Sequence, residues 1–247
     1  MKRVLISQLP TLKQSQELPE DEAHHLIHVL RISNGDTLEC LNGKGQFSEA
    51  KAEFLGKGKV RVVALSDPKS NPKLLSQPIT LEMSILKGDA MEWTIEKAVE
   101  IGVRQFVPLQ TAHCVVQVDK KGPEAFQERW QKIADQALKQ CGRLDRMVIE
   151  KPVSLELGMQ RKTPIRLWLD ENTRNDSPSL IEALGTVDGA TLIQGVSFLM
   201  GPEGGWSERE RDFLARQNSI RVSAGPWVYR AETAALFAAS VIANSMR

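Results

Sequence analysis

The sequence predicts an α/β protein in two parts, a small N-terminal β-barrel and a mainly parallel sheet covered by helices. Three observations carry this. Before Asp67 the apolar residues fall mostly in short strand-like runs around a turn. The stretch DPKSNPKLLSQP, Asp67 to Pro78, holds three prolines and several polar residues and reads as a boundary. Beyond it strands and helices alternate, the order of a parallel sheet with helices on its faces.

The elements follow in order. A short helix is expected between Glu20 and Arg31. TLECLNGKGQFSEAKAEF reads as two strands around a turn at Asn42–Gly45, and KVRVVAL as another strand. These pieces fit a barrel over residues 1–70, a size at which cores are thin. In the second part, 74–247, ITLEMSIL is a strand, DAMEWTIEKAVEIG a helix and QFVPL a strand. PEAFQERWQKIADQALKQCG is a helix with Phe126, Trp130, Ile133, Ala134, Ala137, Leu138 and Cys141 on one stripe, opened by Pro123 and closed by Gly142. IRLWLD, a weaker helix near 178–184, VSFLM, a helix after Ser207, IRVSA and a long helix from Ala231 complete the order.

Composition narrows the function. Hydrophobic residues make up 41% and charged ones 26%, ordinary for a soluble globular chain, and no apolar run reaches the length of a membrane span. No signal-peptide core opens the sequence. Cys40, Cys114 and Cys141 lie far apart, which argues against a zinc site or a disulfide framework and suits a reducing cytoplasm. Net charge is +1, and neither side of Lys73 is a basic tail, so an RNA partner would need charge concentrated by the fold.

Two stretches share one grammar. In VSFLMGPEGGWSERERDFL a strand runs into Gly-Pro and a helix follows, starting at Ser207 because Ser207 and Glu210 have capping-box spacing. In IRVSAGPWVYRAETAALFAASVIANSM a strand again meets Gly-Pro, at Gly225 and Pro226, before a helix. A P-loop needs Lys followed by Ser or Thr, and a dinucleotide fold needs G-x-G-x-x-G; neither is present. Two such loops at one sheet edge form a cleft of backbone groups, suited to a purine and a small zwitterion. The other reading of the glycines is a tight turn that lets helix and sheet approach closely. The last helix is alanine-rich and apolar nearly all round, hence buried in a core or against another subunit. His24, His25 and His28 lack the carboxylate or cysteine that would complete a metal site. Asp89 and Glu92 have N-cap and N3 spacing, and Lys87 stands at a strand end.

HHLIHVLR, LKGDAMEWTIEKAVEIGV, QCGR, MGPEGGWSERE and GPWVYRAETAA together resemble the ribosomal RNA small subunit methyltransferase E family, over nearly the whole chain. The resemblance implies a PUA-like barrel, a trefoil-knotted SPOUT-type domain, a homodimer, and methylation of N3 of a 16S rRNA uridine with S-adenosylmethionine. Two segments depart from the family pattern: WVYR places Trp227 and Tyr229 where Arg and Leu are usual, and Ala112–His113 stand where Glu-Arg is common. Under this reading Met200, Gly201, Gly204, Ser223, Ala224, Gly225, Val228 and Tyr229 contact the cofactor. Arg31, Lys87 and Arg143 contact RNA, of the small subunit or its 16S rRNA, and Arg230 acts on the target base. No metal and no membrane are expected. The alternatives are a non-catalytic RNA-binding or ribosome-assembly factor with the same fold, and a nucleotide-dependent oxidoreductase or kinase, which the missing phosphate motifs disfavour.

Overall fold

The computed structural model describes residues 1–116, 118, 122–172 and 177–246. The chain forms two compact units, Met1–Leu75 with Leu138–Arg146, and Ser76–Ala137 with Met147–Arg247. The segment Leu138–Arg146, which the sequence reading places in the second part, therefore groups with the first unit.

The first unit holds β1 (Arg3–Leu5), β2 (Ser15–Glu17), α1 (Glu20–His24), β3 (Thr37–Leu41), β4 (Gln46–Gly56), β5 (Lys59–Ala64) and β6 (Lys69–Ser70). The strands order as β1-β3-β4-β5-β2, with β6 on β4. All ladders are antiparallel except β1 with β3. The predicted turn forms between β3 and β4. The Asn42 side-chain oxygen accepts from the amides of Lys44 and Gln46, and Gly43 and Gly45 take the positive φ such a turn demands. The helix after Glu20 is shorter than predicted, because it passes into a π-helical turn at His25–Val29. Alternation along the strands sends Leu38, Cys40, Ala50, Ala52, Val60 and Val62 into one core with Val4 and Leu26. Burial there pushes the Cys40 thiol up to about 12.

The second unit runs β7 (Ile79–Ser84), α2 (Asp89–Ile101), β8 (Gln105–Gln110), α3 (Pro123–Cys141, which from Leu138 onward counts with the first unit), β9 (Val148–Ile149), β10 (Val153–Ser154) and α4 (Leu155–Met159). It continues with β11 (Ile165–Leu169), α5 (Leu180–Gly185), α6 (Gly189–Leu192), β12 (Val196–Met200), α7 (Glu208–Ala215), β13 (Ile220–Val222) and α8 (Ala231–Ser245). All its ladders are parallel, in the order β10-β8-β7-β12-β11-β13 with β9 on β8. The strands are buried from end to end at β11 and β12, as two-sided covering requires. One face gathers Val107, Leu109, Trp168 and Leu199 beneath Leu155 and Met159 of α4 and Leu214 of α7. α2 and α8 pack on each other, and α8 rests on β7 and β12.

Helix ends follow the local chemistry. α7 has the predicted capping box: Ser207 Oγ accepts from the Glu210 amide, and the Glu210 carboxylate accepts from the Ser207 amide. Ser179 and Glu182 do the same for α5. α2 departs from expectation. Its N-cap is Gly88, Asp89 is already helical, and Glu92 pairs with Arg129 rather than folding back on a cap.

Candidate active site

Every connection leaving the carboxyl end of β7, β11, β12 or β13 contributes to one cleft. Its walls come from Lys87, Gly88 and Ala90, from Leu169–Glu171, from Met200–Glu203 with Gly205, and from the run Ser223–Glu232 with Ala234, around about 940 Å³. This is where a parallel sheet offers a ligand both backbone groups and helix N-termini, and the volume suits a nucleoside-sized molecule.

Of the residues predicted to meet a cofactor, Met200, Gly201, Ser223, Ala224, Gly225, Val228 and Tyr229 line this cleft. Gly204 does not. A Cβ on Gly204 would meet the Cβ of His113 at 3.1 Å, so its bare side faces the protein. Gly205 lines the cleft in its place, with φ 70° that only glycine adopts freely. Gly201 has a similar internal reason for its identity: a Cβ there would come within 3.1 Å of the Trp206 indole. Trp206 is buried and donates Nε1–H to the Leu169 carbonyl at 2.8 Å, tying the GPEGG loop to the end of β11. Close packing, the other reading of these glycines, thus accounts for Gly201 and Gly204 within the protein itself.

The loop after β13 is held by its own groups. The Ser223 amide donates to the Pro178 carbonyl, and its carbonyl accepts from the Leu180 amide. Ser223 Oγ accepts from the Gly225 amide at 3.1 Å and donates to the Gly225 carbonyl at 3.1 Å. Those groups set the shape of the wall; they are not spare donors for an adenine.

Charge in the cleft is sorted by pairing. Asp170 has no exposed side-chain surface and binds both Arg211 and Arg221, at 3.1 Å and 2.7 Å. Glu171 also pairs with Arg211. Glu203 accepts from the Lys87 amide at 2.9 Å, latching the loop after β7 to the GPEGG loop. No ion pair joins Arg230 to Glu203 or Glu232 among the described residues, and the exposed Arg230 caps α8 by backbone conformation alone. His113 Nδ1 lies 3.1 Å and 2.9 Å from the Gly204 and Gly205 carbonyls. A carbonyl only accepts, so that nitrogen carries the proton and His113 fastens the loop.

The RNA candidates separate. Lys87 lines the cleft, exposed. Arg31 and Arg143 belong to the first unit. Arg31 is exposed and holds a positive φ of 48°. Arg143 is 6% exposed and its Nε donates to Asp145 at 3.2 Å, so burial withdraws it from a phosphate backbone. Sequence reasoning missed Leu169, Asp170 and Glu171, although a strand ending in Asp-Glu is a visible signal in IRLWLDEN. Among the described residues no group of His, Cys, Asp or Glu is placed to hold a metal, and no helix is long and apolar enough to cross a membrane.

Comparison with known proteins places this geometry. A family model described as an RNA methyltransferase domain matches residues 73–243, and one described as an RNA methyltransferase PUA domain matches 18–65. Ribosomal RNA small subunit methyltransferase E of Bacillus subtilis is 30% identical, with 94% of this chain and 93% of the relative covered. The Neisseria gonorrhoeae enzyme of that name, solved bound to S-adenosylmethionine, is 27% identical with a TM-score of 0.86, covering 97% of this chain and 96% of that one. A Legionella pneumophila methyltransferase solved with the same cofactor is 29% identical, with a TM-score of 0.88 and the same coverage of both chains. With a matching family model over most of its length and a relative at this identity, the chain belongs to the RNA methyltransferase family that includes the ribosomal RNA small subunit methyltransferase E proteins.

Proposed function

We propose that this protein transfers the methyl group of S-adenosylmethionine to N3 of a uridine in 16S rRNA. The coarser statement, an S-adenosylmethionine-dependent 16S rRNA methyltransferase, follows from the family and its cofactor-bound relatives. The observation that carries the finer reading is the cleft at the carboxyl ends of four parallel strands, with a cation, Arg230, at its rim that has no ion-pair partner among the described residues.

The residues fit the cofactor. Backbone-rich walls at Met200, Gly201, Ala224 and Gly225 admit a flat base, and Val228 and Ala234 supply apolar surface. The bound cofactor contributes an electrophilic methyl on sulfonium. The C–S bond breaks as the N3–C bond forms. Loss of the N3 proton to solvent would leave negative charge on the uracil ring, which the guanidinium of Arg230 would offset until the methyl group takes the proton's place and the ring is neutral again. An arginine is too basic to accept the proton, so its role is electrostatic. Because N3 lies on the Watson–Crick edge, the uridine must be unpaired when it enters.

Assembly as a homodimer through α8 belongs to the same reading, as does the knotted threading that the resemblance implies. What supports the dimer is that Leu236, Phe237 and Val241 remain only half-buried within one chain, on a helix otherwise packed through Ala235, Ala238, Ala239 and Ile242. The decisive test of the function is tritium transfer from labelled S-adenosylmethionine to small subunits from a strain lacking the enzyme. N3-methyluridine in the digested 16S rRNA is expected; no incorporation would overturn the proposal, and an assembly factor without catalysis would stand instead.

A further inference from the structure

We infer that Trp227 is the stacking platform for the unpaired target base, a side chain that touches substrate and that the family pattern does not supply. The inference rests on the methyl-transfer reading and names the feature that receives the nucleotide.

Trp227 is 74% exposed, an unusual position for so large an apolar side chain, and it lines the cleft. Of the two aromatic residues on the cleft wall, Tyr229 is half-buried with its ring 6.0 Å from that of Phe237. Trp227 has no ring partner and no side-chain hydrogen bond among the described residues. Its backbone is held from both sides: Pro226 precedes it, the Ser223–Gly225 hydrogen bonds close the turn before that, and α8 begins shortly after it. A side chain kept in water by an ordered loop has surface available for a ligand.

The chemistry of the occupant follows from the neighbours. Taking a nucleotide out of its stack costs a few kcal/mol, and an aromatic face returns about 1–3 kcal/mol per base. Stacking accepts any base, so Trp227 supplies affinity rather than choice of uracil. The exposed cations Lys87 and Arg230 line the same cleft and offer the phosphates on either side a counter-charge. An apolar indole flanked by cations suits a nucleotide better than it suits a second copy of the chain, whose natural seam is the half-buried side of α8.

Replacement by leucine keeps apolar bulk and removes the ring face; phenylalanine keeps a face. The readouts are kcat/KM for methyl transfer to small subunits, calorimetric affinity for S-adenosylmethionine, sedimentation, and quenching of tryptophan emission by 16S rRNA. Trp227→Leu is expected to lower kcat/KM about 5- to 150-fold, the range that stacking energies imply, with cofactor affinity and sedimentation unchanged. Trp227→Phe is expected to recover most of that loss. Part of the rRNA-induced quenching should vanish in Trp227→Phe, a binding signal that does not depend on turnover. Wild-type kcat/KM in Trp227→Leu would overturn the inference. So would a parallel loss of cofactor affinity, which would make the indole part of the cofactor wall, or a shift in sedimentation, which would make it a subunit contact. If the wild-type protein transfers no methyl group, the function fails, while Trp227-dependent quenching still reports whether the ring meets RNA.

Discussion

At Gly201 the choice of residue is made by the protein as much as by any ligand. The indole of Trp206 lies where a side chain would begin, so Gly201→Val overpacks a buried site before a cofactor arrives. Overpacking of this kind costs about 1–3 kcal/mol, and a lower melting temperature is expected in the absence of ligand. An unchanged melting temperature with lost S-adenosylmethionine binding would instead restore a purely ligand-side role. Arg230 makes the opposite case, because no ion-pair partner occupies it among the described residues. Arg230→Ala and Arg230→Lys are expected to bind S-adenosylmethionine as the wild type does and to turn over about a hundredfold more slowly, as removal of one transition-state donor does elsewhere. Wild-type turnover in Arg230→Ala would discard the role; lost cofactor affinity would place Arg230 in the cofactor wall.

Among the elements, the short α7 shows how much rests on its first turn. Ser207 and Glu210 satisfy each other's backbone donors, and the other carboxylate oxygen of Glu210 accepts from the Ala112 amide at 2.8 Å. Ser207→Ala is expected to cost about 1 kcal/mol, read as a lower denaturation midpoint with an unchanged slope. A midpoint equal to wild type would show that tertiary packing alone starts the helix. The cap was legible because S-x-x-E is a local signal, and so were β11 and β12, where apolar residues run unbroken. α4, α6, β9 and β10 were not: each has two to five residues, too few for a period to register. The cap of α2 was misread because Gly88, with φ 61°, ends the preceding turn one residue earlier than the Asp89–Glu92 spacing suggests. In the site, both glycine loops were legible from their Gly-Pro junctions. Asp170 was not, because its importance lies in Arg211 and Arg221, which come from distant segments and meet it only after folding.

For the whole molecule, the sequence order of strands and helices announced a parallel sheet, whereas the proposed knotted threading comes from the resemblance alone, since unthreaded connections are the general rule. That order did not announce that Leu138–Arg146 joins the first unit. The dimer proposal belongs at this scale. Sedimentation at micromolar protein is expected to give twice the chain mass, and Val241→Glu on α8 should give a monomer with little methyl transfer. An active monomer would remove the dimer from the proposed function.

Glu82 sits in the middle of β7 with no solvent exposure, its carboxylate bound by Ser197 of β12 and, at 3.2 Å, by Arg166 of β11. Arg166 also donates to the carbonyls of Met159 and Arg161. Burying such a pair contributes little net stability. Its effect is on alignment. With a side-chain period of two, a slip of one residue would turn the carboxylate to the face that carries Leu167 and Phe198, both fully buried, and away from Ser197 and Arg166. Apolar strands as uniform as VSFLM and IRLWL would otherwise tolerate several alignments. One carboxylate spanning three strands works as a key that fits one lock, so a mispaired sheet is penalised while it is still assembling.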